Sequence, residues 1–245
     1  MTLDGTNTYV VATGGAAYVI DPGPADERHL AAVREAAARR GGLAGLLLTH
    51  SHFDHSESVP MFDGTPLLWG VAGDQDETSA HSGAAEVPGG WPPEPRAKAG
   101  PFDVLATPGH AVDHVCFLRE GVCFCGDLVL GRGSSFVPPD GGSLASYLES
   151  LRALQAIRPQ LLCPGHGPYV TDPTAKLGEY LRHRLERERK LIAALDEGER
   201  SRATLLDRAW DDVPPELRPA AAVVMEAHLE KLGAEGLLDE VELVE

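Results

Sequence analysis

The chain has 245 residues, of which 43 % are hydrophobic and 24 % are charged, so its composition is that of a folded globular protein rather than a disordered one. The formal net charge of −16 opposes non-specific attraction to nucleic acids and to anionic membrane surfaces. No apolar run is long enough to span a membrane and the N-terminus lacks the pattern of a signal peptide, so we expect a cytoplasmic protein without a membrane partner.

Strands and helices alternate at the start of the chain. Residues 7–21 predict a β-hairpin with a Gly-Gly turn, and residues 25–40 predict a helix that begins with acidic residues and ends with arginines. Residues 43–48 are a short apolar run, which indicates a strand buried on both faces. Polar residues that follow such a strand lie at the edge where α/β sheets usually hold their functional sites.

The same alternation continues after a segment of different composition. Residues 86–101 are rich in proline and glycine and predict an exposed loop. We then predict strands within 103–106 and 114–130 and a helix at 143–157. Short apolar runs again end in turns that carry potential metal ligands.

Helical patterns dominate from residue 174 onwards, so we predict two domains, residues 1–173 and residues 174–245. The second domain is predicted to contain a long amphipathic helix, two shorter helices and a small terminal hairpin, at 174–198, 203–210, 218–236 and 237–245. Three helices with a closing β element are typical of a winged-helix-like domain.

The densest chemical pattern is H-x-H-x-D-H at residues 50–55, directly after the apolar strand. Imidazole and carboxylate groups are the ligands that zinc and other first-row divalent ions take in proteins. Further ligands follow later strands, each beside a glycine that lets the backbone approach closely. The predicted metal-binding residues are His50, His52, Asp54, His55, His110, Asp127 and His166. Seven donors are too many for one tetrahedral ion and favour two ions with a shared ligand.

This set of motifs resembles the metallo-β-lactamase superfamily. A closer resemblance is to the β-lactamase-like protein 2 family, through "GTNTYVV", "TPGHxxDH", "GDxxLGxG", "PGHGP" and "YLxHRxxRE". The resemblance covers nearly the whole chain and implies an α+β fold, an αββα sandwich followed by a winged-helix-like C-terminal domain. Members of the family have a further strand before the first motif, so we also expect the natural chain to extend before Met1, or another segment to cover that sheet edge.

The resemblance also implies a role for each ligand. His50, His52 and His110 would hold the first ion, Asp54, His55 and His166 the second, and Asp127 would bridge the two. The ions are expected to be Zn²⁺, with Mn²⁺ or Fe²⁺ as alternatives, and to lower the pKa of a bridging water, which Asp54 orients and from which it accepts a proton to leave a metal-bridging hydroxide. An aspartate at 127, where many antibiotic-hydrolysing members have cysteine, makes penicillin an unexpected substrate.

His114 is a further candidate, four residues after His110. It is either a catalytic residue that donates to the substrate or a buried hydrogen-bond partner of a ligand. The sequence leaves both possibilities open.

The first functional hypothesis is an endoribonuclease that cuts single-stranded RNA, because the family includes such an enzyme. Residues 182–190 offer five cationic side chains for RNA, with two glutamates among them. Over residues 174–245, however, 11 Lys and Arg face 17 Asp and Glu, a net charge of −6. That balance favours an ordinary solvated helix, and few aromatic residues are available to stack bases.

The main alternative is hydrolysis of a thioester or another small acyl ester, to which an acidic surface is no obstacle. A third hypothesis is a mononuclear iron persulfide dioxygenase, since such relatives use overlapping ligands. A fourth is a non-enzymatic DNA-binding regulator, but the complete ligand set and the acidic second domain argue against it and against duplex DNA as a partner. The second domain is instead expected to cover the mouth of the active site or to form a homodimer.

Overall fold

The first of two β-sheets is built from the N-terminal half of the chain. This computed structural model describes residues 5–70, 97–238 and 243–244. The sheet contains, in order, β1 (Tyr9–Thr13), β2 (Ala16–Ile20), β3 (Leu43–Leu47) and β4 (Leu67–Trp69). β1 and β2 form the predicted antiparallel hairpin, and β3 runs parallel to both β2 and β4. Helix α1 (Glu27–Ala38) joins β2 to β3 as predicted, and the Asp26 side chain caps its N-terminus.

The second sheet contains, in order, β5 (Lys98–Ala99), β6 (Phe102–Ala106), β7 (Val115–Arg119), β8 (Val122–Gly126) and β9 (Leu161–Pro164). Neighbouring strands are antiparallel except for β8 and β9, which are parallel. The prediction of a loop at 86–101 is wrong near its C-terminal end, because Lys98–Ala99 forms a strand that pairs with β6. The rest of that segment, up to residue 96, lies outside the described residues.

The two sheets pack face to face, and each outer face is covered by a helix. Ile20 and Leu47 of the first sheet meet Phe102, Phe117 and Phe124 of the second in one buried apolar cluster. On the outer side of the first sheet, α1 buries its apolar face against β2 and β3. Helix α3 (Leu144–Ile157), capped by Ser143, does the same on the outer side of the second sheet. The predicted αββα sandwich is therefore confirmed.

Three helices dominate the C-terminal part: α4 (Pro173–Asp196), α5 (Arg202–Ala209) and α6 (Arg218–Ala234). The first half of α4 packs into the sandwich through Leu177 and Tyr180, whereas its second half joins a separate core with α5 and α6. Of the predicted terminal hairpin, residues 239–242 and 245 lie outside the described residues, and Val244 pairs with Ser201. Neither α4, with 24 residues, nor any other described helix combines the length and apolar character that a membrane crossing requires.

Candidate metal centre

The predicted ligands all follow strands of the two sheets. His50 lies three residues after the end of β3, and a single helical turn, α2 (Phe53–Ser56), carries Asp54 and His55. His110 lies in the loop between β6 and β7, and Asp127 and His166 follow the parallel strands β8 and β9. Packing of the two sheets against each other therefore brings together side chains that are up to 116 positions apart in the sequence.

Three histidines form the first donor group. The Nε2 atom of His50 and the Nε2 atom of His110 each lie 3.0 Å from the Nδ1 atom of His52. All three ligand atoms lie within 4.8 Å of one another. A single cation fits between three nitrogen atoms with this spacing.

A second donor group lies beside the first and contains Asp54, His55 and His166. Asp54 Oδ2 lies 3.2 Å from His166 Nε2 and 3.7 Å from His55 Nε2. Asp127 lies between the groups: its Oδ2 atom is 3.7 Å from His110 Nε2 and 3.3 Å from His166 Nε2. Its other oxygen, Oδ1, is 3.7 Å from His55 Nε2. The structure thus brings all seven predicted residues together, with Asp127 in a position to serve both groups.

The far sides of two imidazole rings, those of His110 and His166, are held by backbone carbonyl oxygens. Nδ1 of His110 lies 2.6 Å from the Phe136 carbonyl oxygen, and Nδ1 of His166 lies 2.9 Å from the Gly5 carbonyl oxygen. Because a carbonyl oxygen only accepts hydrogen bonds, both Nδ1 atoms must donate, which leaves the Nε2 lone pairs free for a metal ion.

Asp21 extends this support to two more histidines, and the sequence analysis missed it. Its carboxylate accepts from the backbone N–H and the hydroxyl of Thr49, both at 2.8 Å, and lies 3.1 Å from His55 Nδ1. Because the Thr49 hydroxyl donates to Asp21, its oxygen accepts from His50 Nδ1, 3.0 Å away. A signal was present, because Asp21 ends an apolar strand just before Pro-Gly, the same setting as the predicted ligands.

A glycine gives the centre the space that it needs. A Cβ atom at Gly165 would lie 2.7 Å from His55 Cε1 and would also collide with Asp127 Oδ1. The glycine of the "PGHGP" motif therefore has a steric purpose at this site, since a larger residue would displace ligands.

The charges of the centre are strongly coupled. Burial holds the pKa of His50 well below its ordinary value and, together with His110, lowers the pKa of His52 to about 4, so both rings are neutral. Burial raises the pKa of Asp127, but the close contact with the His166 ring and the charge of His55 outweigh it and lower the pKa to about 2. Burial lowers the pKa of His166, but Asp127 and Asp54 outweigh it and raise that pKa to about 10.

Several polar atoms at the centre have no hydrogen-bond partner among the described residues. They include the buried atoms His55 Nε2, Asp127 Oδ1 and His166 Nε2. Buried polar atoms in native proteins nearly always have a partner. Here His55 Nε2 lies 3.7 Å from Asp127 Oδ1, and His166 Nε2 lies 3.3 Å from Asp127 Oδ2. A cation would supply the partner that each of them lacks, so the residues present fit a metal centre.

His114 lies behind Asp127 rather than at the mouth of the site. It is fully buried, its Nε2 accepts the Asp127 backbone N–H at 3.1 Å, and its Nδ1 lies 2.8 Å from the Thr107 hydroxyl. Burial lowers its pKa to about 3, so the ring is neutral. Both ring nitrogens are engaged within the protein.

Comparisons with known proteins agree with this geometry. The model of the metallo-beta-lactamase superfamily matches residues 1–65 and 98–166, and that of the beta-lactamase associated winged helix domain matches residues 203–243. The beta-lactamase-like protein 2 homolog of Drosophila melanogaster is 32 % identical over 97 % of this chain and 85 % of its own length. An atrochrysone carboxyl ACP thioesterase of Aspergillus fumigatus is 33 % identical over 84 % of this chain and 65 % of its own length.

Among solved structures, that of TTHA1623 in a di-iron-bound form matches with 30 % identity and a TM-score of 0.53, over 73 % of this chain and 92 % of that one. The superfamily match spans more than half of the sequence, and the Drosophila relative spans nearly all of it. The chain therefore belongs to the metallo-β-lactamase superfamily, as a hydrolase with a C-terminal winged helix domain.

Proposed function

We propose that this hydrolase cleaves acyl thioesters at a centre of two divalent metal ions. The observation that carries the proposal is the pair of donor groups with Asp127 between them. The similarity to a named thioesterase, which extends over 84 % of this chain, supports the choice of substrate. Hydrolysis of a thioester needs an activated water molecule and stabilisation of a developing oxyanion, and two adjacent divalent ions supply both when they are bound.

The ligands of each ion are also part of the proposal. His50, His52 and His110 would hold the first ion, and Asp54, His55 and His166 the second. Asp127 would bridge them. Zn²⁺ suits this mixture of imidazole and carboxylate ligands, and the di-iron form of TTHA1623 keeps iron as an alternative.

Asp54 is the residue best placed to accept a proton. Its side chain is 41 % exposed, and the Thr6 hydroxyl donates to its Oδ2 atom at 2.9 Å. Burial raises its pKa, but the close contact with the His166 ring and the charge of His55 outweigh that and keep Asp54 a carboxylate at neutral pH. As water adds to the thioester carbonyl carbon, its proton passes to Asp54, the C–S bond breaks, and the leaving sulfur then takes up a proton.

Of the two roles that the sequence left open for His114, we propose the positioning role rather than the catalytic one. Its Nε2 accepts the backbone N–H of Asp127, so it fixes the chain that carries the bridging carboxylate. A ring with both nitrogens engaged and no exposed surface does not reach a substrate.

The surfaces beside the centre suit an acyl thioester. Exposed apolar side chains follow the ligands of the first ion: Phe53 is next to His52, Val112 is two residues after His110, and Phe136 supplies the carbonyl oxygen that holds His110. Such a rim fits an apolar acyl group. On the side of Asp54, a cavity of about 300 Å³ is lined by Thr6, Asn7, Arg132 and three neighbours, which would suit the anionic carrier of a thioester.

Single-stranded RNA is the second candidate, and the basic segment does not favour it. Arg184 and Arg187 are buried and donate to backbone carbonyl groups, so the expectation of a solvated face was wrong for both. Arg189 and Lys190 are paired with Glu186 and Asp211. The helix therefore presents few cations that could contact phosphates. A mononuclear dioxygenase is disfavoured by the second donor group, and cytoplasmic location and a homodimer stay predictions.

One experiment tests the function. Metal-free protein would be reconstituted with Zn²⁺, Mn²⁺ or Fe²⁺, its metal content measured, and each form assayed with a medium-chain acyl-CoA, a single-stranded RNA and glutathione persulfide. We expect close to two equivalents of metal and turnover of the thioester. Cleavage of RNA without thioester turnover, or full activity with one equivalent that cannot be raised, would overturn the proposal.

A further inference from the structure

The loop after β8 contributes to the metal centre at both of its ends. Asp127 begins the loop, and nine residues later the Phe136 carbonyl oxygen lies 2.6 Å from His110 Nδ1. That contact fixes the ring of a ligand in the first donor group. The position of the Phe136 carbonyl therefore decides how His110 presents its Nε2 atom.

Helix α4 holds this loop in place, although it continues into the C-terminal core. The Tyr180 hydroxyl accepts the Leu130 backbone N–H at 3.0 Å and lies 2.9 Å from the Gly133 carbonyl oxygen. One turn further along α4, Arg184 donates through Nη2 to the Ser135 carbonyl oxygen. The peptide group that accepts from Arg184 directly precedes Phe136, so this hydrogen bond acts one residue from the carbonyl that orients His110.

Arginine suits this position better than other residues. Arg184 is only 2 % exposed, and its Nη2 atom also lies 3.2 Å from the Ser134 hydroxyl. Its guanidinium carbon lies 5.4 Å from the centre of the Tyr147 ring, a cation–π contact. A planar guanidinium can donate in the plane and stack on an aromatic face at once, whereas a lysine ammonium cannot. No carboxylate partner for Arg184 is found among the described residues, so its charge is directed at backbone and hydroxyl oxygens.

The next arginine on α4 completes the connection. Arg187 donates to the Ala209 carbonyl oxygen and, at 2.6 Å, to Asp212 at the end of α5. Both arginines belong to the "YLxHRxxRE" motif, which the hydrolytic mechanism does not use. One therefore contacts the loop of the metal centre, and the other contacts the C-terminal domain.

We propose that Arg184 is a positioning residue of the metal centre. By fixing the backbone before Phe136, it sets the orientation of His110, so the helix of the C-terminal domain helps to build the site for the first ion. The inference rests on the proposed metal centre but not on the identity of the substrate.

The test compares metal affinity in two variants of the same helix. Arg184→Met removes the donor with little change in side-chain volume, and Arg189→Gln is the control, because Arg189 is 71 % exposed and paired with Glu186. Titration of metal-free protein with Co²⁺, followed by the absorption of the bound ion, should show binding weaker by about 10- to 100-fold in Arg184→Met. Arg189→Gln should match the wild type.

A spectroscopic measurement separates positioning from a general loss of stability. In zinc-loaded protein with ¹⁵N-labelled histidine, the Nδ1 proton of His110 should exchange faster with solvent in Arg184→Met than in the control. If Arg184→Met does not fold, Arg184→Lys replaces it and should bind Co²⁺ with intermediate affinity.

The outcomes distinguish this inference from the proposed function. Unchanged Co²⁺ affinity and an unchanged His110 signal in the variant would overturn the role of Arg184 and leave the hydrolase intact. Weaker Co²⁺ binding by Arg184→Met, combined with a wild type that turns over no thioester, would support the positioning role of Arg184 and overturn the proposed substrate class. Wild-type protein that binds no Co²⁺ would overturn both.

Discussion

Gly165→Ala should disable the metal centre while leaving the fold intact. The added Cβ atom would lie 2.7 Å from His55 Cε1 and would collide with Asp127 Oδ1. Carbon atoms in contact prefer separations of about 3.5 Å, so His55 or Asp127 must move by roughly 0.8 Å. A displacement of that size at a catalytic group costs about 100-fold in rate, and we expect a loss of this order in kcat together with weaker metal binding.

The assay needs a control that adds the same methyl group elsewhere. Gly233→Ala serves, because nothing lies within 4 Å of its new Cβ atom and alanine favours the helix α6. In the metal-free proteins, circular dichroism and thermal unfolding should be similar for wild type, Gly165→Ala and Gly233→Ala. Metal content after reconstitution and thioester turnover should fall only in Gly165→Ala. Wild-type metal content and kcat in Gly165→Ala would refute the steric argument and the ligand positions on which it depends.

Three further predictions concern charge. Asp54→Asn removes the proton acceptor and should lower kcat by about 100-fold or more, measured at saturating substrate; unchanged kcat on every substrate would contradict its role. Because the pKa of His166 is raised to about 10 without metal, metal binding at pH 7 should release at least one proton and tighten as the pH rises toward that value; calorimetry in buffers of different ionisation enthalpy would measure this, and no release would contradict it. Burial lowers the pKa of His228 to about 3, below its value in the unfolded chain. Its contribution to the stability of the folded state is therefore fully present above about pH 6.5 and is lost as the pH falls toward 3. Between pH 8 and pH 5, metal-free wild type should lose about 2 kcal/mol more stability than metal-free His228→Leu, as measured by denaturant unfolding. Equal losses would refute the lowered pKa of His228.

The sequence determined which residues can bind metal and where regular structure occurs. Donor atoms are a property of the residue type, and the apolar periodicity that predicts β3, α1 and α4 is local. All seven predicted ligands converge for that reason: each follows a strand, and the strand ends meet. The resemblance to a known family supplied the pairing of the two sheets, which periodicity alone does not determine.

Tertiary structure decided the contacts that hold and tune these ligands. Asp21 reaches Thr49 across 28 positions, and Arg184 reaches Ser135 across 49, so neither contact has a local signature. The same holds for His114, for which the sequence left a catalytic role and a buried hydrogen-bonding role open, whereas the folded structure shows where both ring nitrogens are used. Short strands such as Lys98–Ala99 form because a partner strand satisfies their backbone groups, which two residues of sequence do not specify. The identity of a ligand is encoded locally, but its orientation depends on hydrogen bonds between segments that only the folded chain brings together.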